Sequence, residues 1–215
     1  MATPIGHALA GLAVASLARL ANSRSVEAPI CPTSIGVQVR HILQVRGVSV
    51  MLAVVMAMAP DLDLIPGMVQ GQPVRYHGGI SHSLGCGILL SLLAAGLWRM
   101  ARLPNNLPTR MVFTISMLAF ASHLLLDMMG PDGREPFGIP LLWPLSDARY
   151  LTPRPILFGV HHASTTTAGF GEFLSGVFSW PNMIAILWEC VLTMPLIVFG
   201  EWLSCRHQNL RKSVV

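Results

Sequence analysis

Residues 111–129 form an apolar run that contains one histidine and one aspartate, His123 and Asp127. As an α-helix this run would be roughly 28 Å long, close to the hydrocarbon thickness of a bilayer. Residues four positions apart lie on the same helix face, so the imidazole and the carboxylate would lie side by side. Because ionisable groups inside a membrane pair with other polar groups, the run predicts a membrane helix whose polar pair binds other side chains or an ion.

The composition of the whole chain also indicates a membrane protein. Of its 215 residues, 53% are hydrophobic and 11% are charged, whereas about 25% of the residues of a soluble domain are charged. The mean hydropathy is +0.58. The net charge of +4 comes almost entirely from arginine, and we interpret it as a signal of membrane topology rather than as a nucleic-acid surface.

Hydropathy predicts an all-α fold, a polytopic integral membrane helical bundle of about 4–5 transmembrane helices. The predicted helices are residues 3–20, 47–59, 82–100, 111–129 and 183–200. The second is short for a bilayer, so we expect it to begin earlier, near Val39. Residues 64–81 are predicted to form a loop, and Ser81 or Ser83 is predicted to cap the third span.

The arginine distribution predicts the orientation of this bundle. Of the 14 basic residues, all but Arg75, Arg134, Arg149 and Arg154 fall on one side of a five-span arrangement, and that side is therefore predicted to be cytoplasmic. We expect residues 1–205 to form one membrane-embedded domain of the cytoplasmic (inner) membrane, with the N-terminus and the segment 130–182 outside. Residues 206–215 are predicted to be a cytoplasmic basic tail.

In this arrangement the polar residues of four spans meet at the outer face. Imidazole and carboxylate groups together are ligands for zinc and similar divalent cations, and they suit a site that keeps an open position for water. Coordination lowers the pKa of such a water to about 7, so hydrolysis is the natural reaction class. The candidate metal ligands are His7, Asp61, Asp63, His77, His82, His123 and Asp127.

Four short motifs and an early histidine resemble the YdjM family of predicted membrane-bound metal-dependent hydrolases. The motifs are Pro60-Asp61-Leu62-Asp63, His77-Gly-Gly-Ile-Ser-His82, His123-Leu-Leu-Leu-Asp127 and Leu142-Trp-Pro-Leu-Ser-Asp147, with His7 before them.

The order of these residues is also distantly similar to that of the zinc-dependent phospholipases C and the single-strand-specific zinc nucleases. That likeness implies a site for one to three divalent ions, with zinc as the first candidate. The ligands would be His7, Asp61, His77 or His82, His123 and Asp127. The sequence has no later His-x-x-x-Glu motif, and Gly78 and Gly79 stand where that pattern would have an arginine.

Three further polar residues are candidates with open alternatives. Asp147 and His161 are candidates for orienting a ligand imidazole from outside the metal's own ligand set. The alternative for Asp147 is an ordinary loop residue, and His162 is an alternative to His161. Glu189 lies inside the last predicted span, where an acid is a functional hypothesis by default. A protonated Glu189 packed against another helix would explain the sequence equally well.

The sequence is consistent with two functions. The first is a membrane-bound metal-dependent hydrolase of a phosphoester or ester bond in a lipid or lipid-linked substrate, with Asp61, Asp63 or Asp127 as ligand or general base. A site at the ends of membrane spans opens towards lipid headgroups, which is why a lipid is the expected partner. The second is a non-enzymatic membrane protein, structural or ion-transporting, that uses the same His/Asp cluster.

Overall fold

A computed structural model describes residues 1–18, 47–72, 74–101, 107–133, 135–160 and 179–212. These residues form α-helices, two 3-10 helices and loops, with an isolated bridge between Ile139 and Tyr150 and no β-strand. The all-α prediction is therefore confirmed. The α-helices are α1 (Pro4–Ala18), α2 (Gly47–Met58), α3 (Leu64–Val69), α4 (Leu84–Ala101), α5 (Thr109–Met129) and α6 (Trp180–Lys212).

Within the described residues, four helical stretches are long and apolar enough to cross a membrane. They are Gly47–Val69, Leu84–Ala101, Thr109–Met129 and Trp180–Ser204, and the shorter apolar helix Pro4–Ala18 packs among them. These helices expose many large apolar side chains, as expected where lipid rather than water surrounds a helix. This agrees with the prediction of a polytopic membrane bundle.

The core is built from small residues that let helix backbones approach closely. Helix α1 packs against α2, α5 and α6, and α5 packs against α4 as well. A Cβ atom added at Gly11 of α1 would lie 2.8 Å from the carbonyl oxygen of Ala53 in α2. Ala53 and Ala57 are completely buried at this contact. Since lipid gives no hydrophobic drive for helices to associate, such close backbone contact is a main source of their packing energy.

The second span differs from the prediction at its C-terminal end. We predicted that it ends near Ala59 and is followed by a loop, but a 3-10 helix (Ala59–Asp63) and α3 continue it to Val69. Pro60 lies in the first turn of the 3-10 helix, where its missing N–H is not needed. The extra length therefore comes after Pro60. The predicted earlier start near Val39 falls outside the described residues.

A loop over residues 135–160 covers one end of the bundle. Ser83 caps α4 as predicted, because its Oγ accepts a hydrogen bond from Cys86 N at 3.1 Å. The next two backbone N–H groups of this turn, at Leu84 and Gly85, donate to the carbonyls of Leu141 and Trp143. The loop also binds the end of α5, where Thr152 N donates to Met128 O at 2.9 Å. The loop and the helix ends thus form one packed layer.

Helix α6 is longer than the predicted span at residues 183–200. It begins at Trp180 and continues to Lys212, with Pro195 inside it. The segment that we predicted as a basic tail, residues 206–215, is therefore helical as far as Lys212. The start of α1, the 3-10 helix after α2, the start of α4 and the end of α5 all lie at the same end of the bundle.

Replacing Gly11 by alanine tests the close contact between α1 and α2. The added methyl group would force the two backbones apart, and we expect a loss of about 1–3 kcal/mol of stability, as for other overpacked cores. The measurement is the thermal unfolding midpoint in detergent. Gly96→Ala on α4 is the matched control, because a Cβ there meets nothing within 4 Å. Equal midpoints for the two variants would contradict this packing.

Labelling of single cysteines tests the predicted orientation. In a chain whose native cysteines are replaced by serine, we expect Gln70→Cys to react with a membrane-impermeant maleimide in spheroplasts. Asn105→Cys should react only after permeabilisation, because the positive-inside rule assigns the connection between α4 and α5 to the cytoplasm. The reverse pattern would invert the orientation.

Candidate metal centre

The polar residues of the helix ends converge on one buried cluster. Asp127 of α5 is its most enclosed carboxylate. Its Oδ2 lies 3.2 Å from Nε2 of His123 and 3.3 Å from Nε2 of His82, and its Oδ1 lies 3.3 Å from Nε2 of His7. The backbone N–H of Ala2 donates to the same Oδ1 at 3.0 Å. Residues from α1, α5 and the turn before α4 therefore meet at a single carboxylate.

Asp61 brings the end of the second span to the same place. Its Oδ1 lies 3.6 Å from Nε2 of His123, 3.7 Å from Nε2 of His82 and 3.8 Å from Nδ1 of His77. The rings of His7 and His123 stack with centroids 3.6 Å apart. Six of the seven predicted ligands have ligand atoms that converge in overlapping groups: His7, Asp61, His77, His82, His123 and Asp127.

These residues fit a divalent cation. Three overlapping groups have ligand atoms within 4.8 Å of one another: His7 with Asp61 and His123, Asp61 with His77 and His82, and His82 with His123 and Asp127. Two ligands of a tetrahedral zinc ion, each at a Zn–N or Zn–O distance of about 2.0–2.1 Å, lie about 3.3 Å apart. Many of the nitrogen–oxygen separations are near that value.

Several of the converging atoms are buried and have no hydrogen-bond partner. They are Nε2 of His82, Nε2 of His123 and Oδ2 of Asp127. Buried polar atoms in native proteins are satisfied in the great majority of cases, so three unsatisfied atoms that face one another need an explanation. A shared cation would satisfy all three at once, whereas a simple His-Asp hydrogen bond would not.

The ring orientation of His123 is set by a backbone group. Its Nδ1 lies 2.7 Å from the carbonyl oxygen of Ala57 on α2. A carbonyl can only accept, so Nδ1 carries the hydrogen and Nε2 presents its lone pair to the cluster. Metal-binding histidines characteristically donate their other ring N–H in this way. No pattern in the sequence predicts this contact, because it joins helices far apart in the chain.

Asp63 has a different position from the one we predicted. It belongs to none of the three groups formed by the described residues, and its oxygens accept other hydrogen bonds. Oδ1 contacts Nδ1 of His77 at 2.8 Å, and Oδ2 accepts from Ser81 Oγ at 2.6 Å and from Gly78 N at 3.2 Å. Asp63 therefore orients histidines rather than pointing into the cluster.

Ser81 is the cluster residue whose role the sequence did not reveal. Its hydroxyl hydrogen goes to Asp63, so its oxygen accepts from Nδ1 of His82, 3.0 Å away. The sequence suggested only a helix cap at this position. The 3-10 turn Ile80–His82 brings the hydroxyl beside the imidazole of its own neighbour.

The charge on His82 depends on the surrounding acids. Burial by itself lowers the pKa of His82, but the neighbouring carboxylates of Asp127, Asp61 and Asp63 raise it, and the pKa lies well above its usual value. The three acids thus favour a positive charge at this point. A cation bound here would take the place of the proton, so metal binding should weaken as the pH falls.

Backbone geometry and Arg149 position the loop that carries His77. Gly78 has a φ of 77°, a left-handed conformation that favours glycine. Arg149 donates to the Gly78 carbonyl at 2.8 Å and to that of Gly138. Asp147, predicted as a possible orienting group, is exposed, and within the described residues no hydrogen bond joins it to the cluster. The predicted candidates His161 and His162 lie outside the described residues.

The cluster is closed on most sides and open on one. The residues His7, His82, His123 and Asp127 are at most 2% exposed. The side chains of His77 and Asp61 are 11% and 14% exposed. A small molecule would therefore reach the cluster from the side of these last two residues.

The fold and the cluster together define a polytopic helical membrane protein with a buried His/Asp centre able to hold a metal ion. The chain belongs to the YdjM family, described as YdjM inner membrane protein, which it matches over residues 1–207. It is also similar to inner membrane protein YbcI of Escherichia coli (strain K12), with 31% identity over 107 residues. That match spans 48% of this chain and 58% of the relative. No solved structure matches the chain.

The family match confirms the predicted resemblance. Together with the apolar helices, it supports a multi-pass protein of the inner membrane.

Removing two ligands tests the metal centre. The purified protein should contain divalent metal close to stoichiometrically, and His123→Ala combined with Asp127→Ala should lose nearly all of it, because two of the three groups lose one or two ligands. Metal content is measured by elemental analysis after gel filtration. Asp147→Ala, an exposed acid of the adjacent loop, is the control that should retain the metal. Full metal content in the double variant would refute the site.

Proposed function

We propose that this protein is a metal-dependent hydrolase of the inner membrane that cleaves a phosphoester or ester bond in a lipid or lipid-linked molecule. The observation that carries this proposal is the set of buried, unsatisfied ligand atoms on His82, His123 and Asp127 beside a partly exposed acid, Asp61. Such a site has both a place for a cation and a side from which a substrate can reach it.

The chemistry of the donor set suggests zinc, in one to three ions. Neutral imidazoles with carboxylates are ligands of catalytic zinc sites. When bound there, the cation would polarise the scissile bond and lower the pKa of an attacking water. His7, His77, His82, His123, Asp61 and Asp127 are the residues that would hold it. The protein's own contribution is to fix these groups and to keep bulk water out.

The three predicted catalytic acids divide into distinct roles. Asp127 is enclosed on all sides and held by Ala2 N, so it serves as a ligand. Asp63 is fully engaged with His77 and Ser81 and serves to orient them. Asp61 is the remaining acid and is partly exposed. It is therefore the group placed to take a proton from the attacking water as well as to bind the cation.

A lipid substrate is supported by exposed apolar side chains close to the ligands in the sequence. Within two positions of a ligand, Leu62 is 61% exposed, Ile80 58% and Leu125 57%. In the covering loop, Leu145 is 91% exposed. Apolar side chains around a polar site at the ends of membrane spans suit a molecule with acyl chains and a polar headgroup. With the predicted orientation, that molecule would be in the outer leaflet.

The buried polar groups favour hydrolysis over ion transport. Among the described residues, the one buried acid outside the cluster, Glu189, is bonded to Thr3 at the start of α1. Buried polar side chains farther along the spans, such as Ser16, Ser91 and Ser116, are hydroxyls. A transport path would need acids, imidazoles or a water-filled route through the bundle. The polar chemistry is thus concentrated at one membrane face.

Asp61→Asn tests the proposed reaction. The zinc-loaded protein in nanodiscs is assayed for phosphate or acyl release from phospholipids and lipid phosphates. We expect activity that chelation abolishes, and a decrease of about 10²–10⁴-fold in Asp61→Asn, the range for loss of a general base. Asp147→Asn is the control and should keep its activity. Unchanged hydrolysis in Asp61→Asn would overturn the role of Asp61, and no hydrolysis by the loaded wild type would overturn the proposal.

A further inference from the structure

Glu189 is a buried acid that the proposed reaction does not use. It lies in the first third of α6 and is 1% exposed. An acidic side chain within a membrane span is costly unless other groups satisfy it, and it is a functional hypothesis by default. The groups that form hydrogen bonds with Glu189 therefore indicate what this residue does.

Both oxygens of Glu189 bind the residue that precedes α1. Oε1 accepts from the backbone N–H of Thr3 at 2.8 Å, and Oε2 accepts from the Thr3 hydroxyl. Thr3 Oγ1 in turn accepts from Gly6 N at 3.0 Å, so Thr3 caps α1. The carboxylate thus lies at the positive end of the α1 dipole, where a negative charge is stabilised.

The first turn of α1 has space for this carboxylate because residue 6 is glycine. A Cβ atom at Gly6 would overlap the carboxylate of Glu189. Any larger residue would push Glu189 away from Thr3 or α1 away from α6. The close approach therefore fixes the position of the first turn of α1 relative to α6.

This turn carries two groups of the metal centre. The backbone N–H of Ala2, next to Thr3, donates to Asp127 Oδ1 at 3.0 Å. His7 follows one turn later, and its backbone N–H donates to Thr3 O at 3.1 Å. Because Oδ1 of Asp127 is occupied by Ala2 N and His7, its Oδ2 is the oxygen turned towards His82 and His123.

We infer that Glu189 is a positioning residue of the metal centre: by holding Thr3, it sets His7 and the orientation of the Asp127 carboxylate. The inference rests on the proposed metal-dependent function. Within the described residues the Glu189 side chain binds Thr3 rather than the donor atoms of the cation ligands, so it acts through residues 2–7. A residue that only fastened α6 to α1 would affect stability without changing the ligand geometry.

Two pairs of variants separate these roles. Glu189→Gln keeps an oxygen for Thr3 N and a polar group for the Thr3 hydroxyl, whereas Glu189→Ala keeps neither. Thr3→Ser keeps the hydroxyl, whereas Thr3→Val, of similar size, loses it. Ser204→Ala removes a buried hydroxyl near the other end of α6 and is the control for general loss of packing in that helix.

Zinc affinity of the full-length protein in detergent, measured by competition with a chromophoric chelator, is the first readout. We expect Glu189→Ala and Thr3→Val to bind zinc about 10–100-fold more weakly, as when other groups that orient metal ligands are removed. Glu189→Gln, Thr3→Ser and Ser204→Ala should bind like the wild type. The absorption spectrum of the cobalt-loaded protein should change in the first two variants only, because the ligand arrangement changes. Wild-type affinity and spectrum in Glu189→Ala would overturn the inference.

The second readout does not need a metal. In protein labelled with ¹⁵N-threonine, the signal that disappears in Thr3→Ser identifies the Thr3 amide, and its hydrogen exchange is measured without added metal. We expect slow exchange in the wild type and Glu189→Gln and fast exchange in Glu189→Ala. Slow exchange in Glu189→Ala would overturn the inference and leave the proposed function intact. If the wild type binds no zinc but shows the expected exchange pattern, the proposed function is overturned. The hydrogen bonds between Glu189 and Thr3 would still be supported by that result.

Discussion

The carboxylate of Asp127, enclosed among helices, is the constraint on which the rest of the structure depends. A carboxylate in such surroundings needs hydrogen-bond donors or a cation beside its oxygens. Ala2 N and His7 face one of its oxygens, and His82 and His123 face the other. Since these neighbouring groups come from three separate segments, bringing them to one carboxylate fixes how α1, α4 and α5 meet.

Close backbone packing makes this convergence possible. Imidazole and carboxylate groups reach one another only if the helix axes are near, and Gly6 and Gly11 remove the side chains that would keep α1 from α6 and α2. The carbonyl of Ala57 then comes close enough to orient His123. The polar centre and the small-residue core are therefore parts of one arrangement, because a shift of α1 alters both.

Most of the helical framework could be predicted from hydropathy, because each span must be apolar over a fixed length. The structure differs from the sequence-based expectations where local pattern and tertiary contact compete. Residues 64–69 read as a loop because of Pro66 and Gly67, yet they form α3 as a continuation of the second span. Asp63 looked equivalent to Asp61 as a ligand, but the 3-10 turn sends one side chain into the cluster and the other to His77 and Ser81.

The sequence by itself determined the class of the protein, its helical spans and the residues that gather at one membrane face. Hydropathy, span length and ligand chemistry depend directly on the types of residue in the chain. Only the tertiary structure decided which atoms face one another. It assigned Asp63 and Ser81 to orienting roles, gave His123 its backbone partner and joined Glu189 to Thr3. These contacts join residues far apart in the chain or depend on the local turn, and their formation is governed by helix packing, which residue spacing does not encode.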